Sequence, residues 1–194
     1  MILSFLLINC GQKDEEKKEV VTEKPEQNFM SFRDLSRELI EVDIDTISDF
    51  KELIEVTEKI DCAGQIVIFK METDQKIYKI QPLQNCAYIS LHYKRNEIIH
   101  VNPDSITVNK KIKFPIDSLR VVLDNHLQNR NNNPIYPSSD EKKLISINVA
   151  NDKNIDETKK LLLKIITEYN DLNITTNFAF MFENKGILPE QTLE

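Results

Sequence analysis

The chain has 194 residues, with 32 acidic against 25 basic side chains, a net charge of −7 and no tryptophan. That balance excludes nucleic acid, whose phosphates require a basic face, and equally disfavours electrostatic adhesion to anionic lipid. Only three glycines occur, Gly11, Gly64 and Gly186. Their scarcity removes the phosphate-binding loop, the dinucleotide fingerprint and the nucleophile elbow, all of which need clustered glycines.

Ile2 to Ile8 is an apolar run that stops at Cys10, and a charged segment opens three residues later. The run has the length of a secretory h-region. It is too short to cross a bilayer as a helix, which takes ~20 apolar residues. Leu7-Ile8-Asn9-Cys10 resembles the lipobox of bacterial lipoproteins, with Asn9 where a small residue is usual. The resemblance implies that Cys10 carries lipid and becomes the mature N-terminus. Gln12-Lys13-Asp14-Glu15-Glu16 looks like the short signal that sends some lipoproteins to the outer face of the outer membrane; a merely solvated tether is the alternative. The membrane would then be reached through covalent lipid, each buried methylene contributing ~0.8 kcal/mol.

Gly11 to Asn28 is rich in Lys and Glu, contains Pro25 and offers little apolar surface, so a disordered tether is expected. Leu35, Leu39 and Val42 suggest a first helix. Ile47, Phe50, Leu53, Ile54 and Ile60 suggest a second, opened by Thr46 and Asp49. After Gly64 the period becomes two. Gln65–Met71 and Lys76–Gln81 read as a hairpin, Cys86–Tyr93 as a further strand and Glu97–Val101 as another.

From Asn102-Pro103 onward, Ser105–Val108 and Lys111–Phe114 flank a tight turn at Asn109-Lys110. Pro115 opens a helix with Ile116, Leu119, Val122, Leu123 and Leu127 on one face. A loop from Asn129 to Lys142 follows, either a solvated linker or a recognition loop. Leu144–Ala150 reads as a strand. Asn154 and Glu157 cap a helix carrying Ile155, Leu162, Ile165, Ile166 and Tyr169. Thr175–Phe182 closes the set, with Phe178, Phe180 and Phe182 on one side.

The expected fold class is α+β: a mixed, largely antiparallel sheet with helices on one face, after the tether. The expected organisation is a signal segment over 1–9 and a lipidated tether over 10–30. A helical pair with an antiparallel meander over 31–101 and an α/β module over 102–185 follow, as one domain or two, with a tail over 186–194.

The order hairpin, helix, loop, strand, helix, strand is similar to the periplasmic domain of the ExbD/TolR family of biopolymer-transport proteins. The residues that carry this are Ile106-Thr107-Val108-Asn109-Lys110, Phe114-Pro115-Ile116-Asp117-Ser118-Leu119 and Ile145 to Lys153. The resemblance covers about Ile98 to Phe182. It carries no functional residue across, because the family's membrane helix with its essential aspartate has no counterpart in Ile2–Ile8.

Three cysteines leave Cys62 and Cys86 once Cys10 is acylated. In an oxidising compartment they would form a disulfide, contributing on the order of 3 kcal/mol; two unpaired buried thiols are the alternative. His92 and His100 are weak metal candidates that would need Glu97 or Asp104 as a third ligand, against the simpler reading of two partly exposed histidines. His126 reads as a helix-face residue. Asp43-Ile44-Asp45 and Asp152–Asp156 offer oxygen ligands but match no EF-hand. No cofactor and no catalytic residue is expected. The sequence points to a lipid-anchored outer-membrane protein, at the cell surface or in the periplasm. Its role would be non-catalytic binding or scaffolding with an unidentified envelope protein. A secreted hydrolase or metal enzyme with a dispersed site, and a small-ligand carrier, are the alternatives.

Overall fold

The computed structural model describes residues 24–30, 36–83, 93–138 and 143–183. The fold is α+β, as expected, with two mixed sheets and three helices among these residues. The strands of the first sheet are β1 (Glu26–Met30), β2 (Leu39–Asp43), β3 (Ile66–Glu72) and β4 (Ile77–Gln81), in the order β1-β4-β3-β2. The second sheet contains β5 (Ile98–Val101), β6 (Ser105–Val108), β7 (Ile112–Pro115), β8 (Leu144–Ile147) and β9 (Ala179–Phe182), ordered β7-β6-β5-β8-β9. The helices are α1 (Phe50–Cys62), α2 (Leu119–Gln128) and α3 (Ile155–Leu172).

Local chemistry sets most of these boundaries. Asp49 caps α1 by accepting the Glu52 N–H at 2.8 Å, while the Glu52 carboxylate returns to the Ser48 N–H and hydroxyl. The β6–β7 hairpin turns on Asn109 and Lys110, both at positive φ, as a tight primed turn requires. Pro115 leads into a short 3-10 turn before α2, and Asn129 ends α2 in the left-handed region. Asn154 caps α3 through the Asp156 N–H.

Three expectations change. Leu39–Asp43 is a strand rather than the end of a helix, because Ile40 and Val42 turn inward while Leu39, Glu41 and Asp43 stay exposed. That period of two overrides the helical spacing of Leu39 and Val42; Leu35 lies outside the described residues. The end of the expected tether, Glu26–Met30, is also a strand, held parallel to β4 with Phe29 buried. A single large apolar residue sufficed, because its ring meets Tyr169, Phe178 and Phe180 at centroid distances of 5.8–5.9 Å. Pairing is also more parallel than the sequence suggests. Among the described residues four strand pairs are parallel and three antiparallel. The Cys86–Tyr93 strand falls on residues outside the description, apart from Tyr93.

One apolar core serves both sheets. It joins Phe50, Leu53 and Phe69 from the first half to Val122, Leu162, Phe180 and Phe182 from the second. Pro82, just beyond β4, bridges in parallel to Phe180 of β9, and the Leu83 N–H donates to the Phe180 carbonyl at 2.6 Å. The expected division near residue 101 therefore does not separate two cores, and β5, placed in the first unit by sequence, pairs with β6 and β8 of the second sheet. The buried stripes of α2 and α3 belong to this shared core. The opposite face of the second sheet carries a smaller apolar cluster of Ile98, Leu144, Ala179 and Met181.

Candidate functional site

Strand alternation places a polar row on that opposite face. His100 of β5 lies directly across from Ser146 of β8, and Glu183 follows the last residue of β9. The Glu183 N–H donates to the Ile147 carbonyl at 3.0 Å, which brings its carboxylate back over β8. The Ser146 hydroxyl donates to Glu183 Oε2 at 2.7 Å, and His100 Nδ1 stands 3.7 Å from the same oxygen. All three side chains are buried, Ser146 completely.

Burial governs the electrostatics. It pulls the His100 imidazole down to about 4, and the positive charge of Lys110 adds to that effect. Burial pushes the Glu183 carboxyl up, opposed by the Ser146 hydrogen bond and by Lys110. His100 is therefore neutral at pH 7, and neither ring nitrogen has a hydrogen-bond partner among the described residues. The order of contacts differs from a serine–histidine–acid relay. Here the carboxylate sits between the other two groups, so the hydroxyl donates its hydrogen bond to the carboxylate and not to the imidazole. The arrangement satisfies a buried carboxyl group.

Of the residues singled out by sequence, Cys10, Cys86 and His92 lie outside the described residues. Cys62 ends α1, is exposed and is disulfide-bonded; the partner cysteine lies outside the described residues. His100 is buried rather than partly exposed, because β5 is covered on both faces. The metal ligands considered for it do not gather there. Glu97 accepts the Lys94 N–H at 2.8 Å as a cap, and Asp104 is exposed in the β5–β6 turn. No cluster of three or more metal-type side chains occurs among the described residues.

His126 lies on the buried face of α2, where neither ring nitrogen has a hydrogen-bond partner among the described residues, and its imidazole is pulled down to about 3 by burial and by Lys143. The Lys143 ammonium itself donates to the Leu127 carbonyl at the end of α2, a position where a cation suits the helix terminus. Asp43 caps a 3-10 turn through the Asp45 N–H, and Asp45 pairs with Lys159, so that pair performs helix-end chemistry. Asp152 is exposed, and Asp156 receives the Asn154 cap.

The loop after α2 is built around one side chain. Asn129 Nδ2 donates to the carbonyls of Asn133, Tyr136 and Pro137 at 3.0–3.4 Å, and its Oδ1 accepts the Asn133 N–H at 2.8 Å. Asn96 ties the same loop to the start of β5 through the Tyr136 carbonyl. Residues 130–134 stay exposed around that anchor, so this part of the loop is solvated but internally braced.

Sequence reasoning passed over Ser146 and Glu183. The signal was present but faint: a serine inside the apolar run Leu144–Ile147, and an acid set directly after Phe182. No described helix is long and apolar enough to cross a membrane. No family model matches the chain, and no curated protein or solved structure matches it either.

Proposed function

We propose that the protein is lipid-anchored in the cell envelope through Cys10 and acts there by binding or scaffolding rather than by catalysis. The observation that carries the reading is the junction at Cys10, where an apolar run of export-signal length ends on a cysteine and gives way to a charged segment. The burial of His100, Ser146 and Glu183 supports the non-catalytic part. The element order β6-β7-α2-β8-α3-β9 supports the ExbD/TolR-like reading of the second half, on fold analogy alone. Membrane fractionation followed by protease treatment of intact cells tests the address. Recovery in the outer-membrane fraction agrees with it, and protease sensitivity then separates a surface from a periplasmic position. Recovery in the soluble fraction contradicts it.

A second reading has one observation behind it. His100, Ser146 and Glu183 bring an imidazole, a hydroxyl and a carboxyl group together, the residue types of a hydrolase, although in an order unlike the serine–histidine–acid relay. Loss of a measured esterase activity in Ser146→Ala, with an unchanged melting profile, would favour that reading.

A further inference from the structure

The two sheets end on edges of opposite charge. Among the described residues β2 pairs with β3 alone and β7 with β6 alone, so each leaves one side of its backbone open. Of the four exposed large apolar residues among those described, Leu39 of β2 and Ile112 of β7 sit on these edges, 47% and 37% exposed. β2 presents Glu41 and Asp43 to solvent, whereas Lys111 and Lys113 are exposed at β7. Among the described residues neither lysine side chain has an ion-pair or hydrogen-bond partner, in a chain of net charge −7.

We propose that β2 of one copy adds to β7 of a second copy, joining molecules end to end through an antiparallel ladder. Strand directions fit. Pro82 runs parallel to Phe180, so β4 and β9 share a direction; β3 opposes β4, and β2 follows β3. On the other side β8 and β5 follow β9, β6 opposes β5, and β7 opposes β6. The β2 and β7 edges therefore run in opposite directions, as an antiparallel addition between like-oriented copies requires.

The faces fit as well. Lys113 pairs in register with Thr107, on the side away from the core contact Ile106–Phe114. Glu41 lies on the same outer side of its own sheet, bonded to Lys79 at 3.2 Å and still half exposed. Adding β2 to β7 sets acids against lysines on one face, with the apolar pair Ile40 and Val42 continuing the row of Ile112 and Phe114 on the other. Edge lysines and Pro115 ordinarily keep an edge from pairing. Here they reject a second β7, and the acids reject a second β2, while the mixed pair escapes both penalties. The contact is heterologous, so it builds linear chains or rings rather than a closed two-fold dimer. A ladder of four or five residues is short, and association is correspondingly weak and concentration-dependent.

Sedimentation velocity on the full chain in detergent tests the proposal. Wild type should form oligomers larger than dimer as concentration rises, and should dissociate with added salt. The Lys111→Glu, Lys113→Glu variant should need roughly tenfold higher concentration to associate. A Glu41→Lys, Asp43→Lys variant should be impaired likewise, and mixing the two variants should restore association, because each supplies the charge the other lost. Melting curves confirm that each variant is folded; should the β2 variant not fold, the lysine variant and the salt series decide alone. Wild type that stays monomeric at every concentration, or lysine variants that associate like wild type, would overturn the proposal.

Discussion

The Ser146 hydroxyl donates a 2.7 Å hydrogen bond to Glu183 Oε2, linking the middle of β8 to the residue just past β9 in a buried setting. A buried carboxyl group with its donor removed bears its full desolvation cost. Ser146→Ala should therefore destabilise the fold by about 1–3 kcal/mol in denaturant melts. Glu183→Gln keeps an acceptor and removes the charge that burial disfavours, so it should cost less. A double-mutant cycle should return a coupling on the order of 1 kcal/mol between the two sites.

Stability should fall as the solution is acidified from pH 6.5 towards pH 4. His100 and His126 are held neutral, at about 4 and about 3, against an ordinary value of 6.5. Between those limits the unfolded chain binds protons that the folded chain refuses, so acid favours unfolding. The full His100 shift corresponds to roughly 3 kcal/mol, complete only below pH 4. Glu183 acts in the opposite sense. Its carboxyl is raised by burial, so its penalty is relieved as pH falls through the folded value. Melts of wild type and His100→Gln across this range should show a shallower slope for the variant.

Asn129 combines a left-handed backbone with four loop hydrogen bonds. Asn129→Gly keeps the backbone freedom and loses the bonds, at about 2 kcal/mol. Asn129→Ala adds backbone strain, about 1 kcal/mol more. Equal melting temperatures for the two variants would show that the conformation at this residue contributes nothing.

Phe180 sits where the sheets meet, touching Phe29 and Phe178 and bridging to Pro82. Phe180→Ala should cost about 3–5 kcal/mol, as a cavity in a shared core. Because that core is common to both sheets, wild type should unfold in a single transition seen alike by far- and near-ultraviolet dichroism.

Much of this fold was legible in the sequence. The hairpins β3–β4 and β6–β7, the stripes of α1, α2 and α3 and the phenylalanines at the end each follow from periodicity and turn chemistry. The missed strands share a cause. β1 and β2 are edge strands paired in parallel to distant partners, and their stability comes from β4, β3 and the aromatic ring cluster rather than from local pattern. The polar cluster was hidden for a similar reason. His100, Ser146 and Glu183 are separated by long stretches of chain, and only strand register sets them together. Cys10 is different, because its reading depends on neighbouring residues alone.

Metabolic labelling with an alkyne analogue of palmitate tests the anchoring most directly. The wild-type protein should incorporate the label and partition with membranes, and Cys10→Ala should lose both properties while Cys62→Ala retains the label. Label persisting undiminished in Cys10→Ala, or a wild-type protein that takes up none, would contradict the proposal.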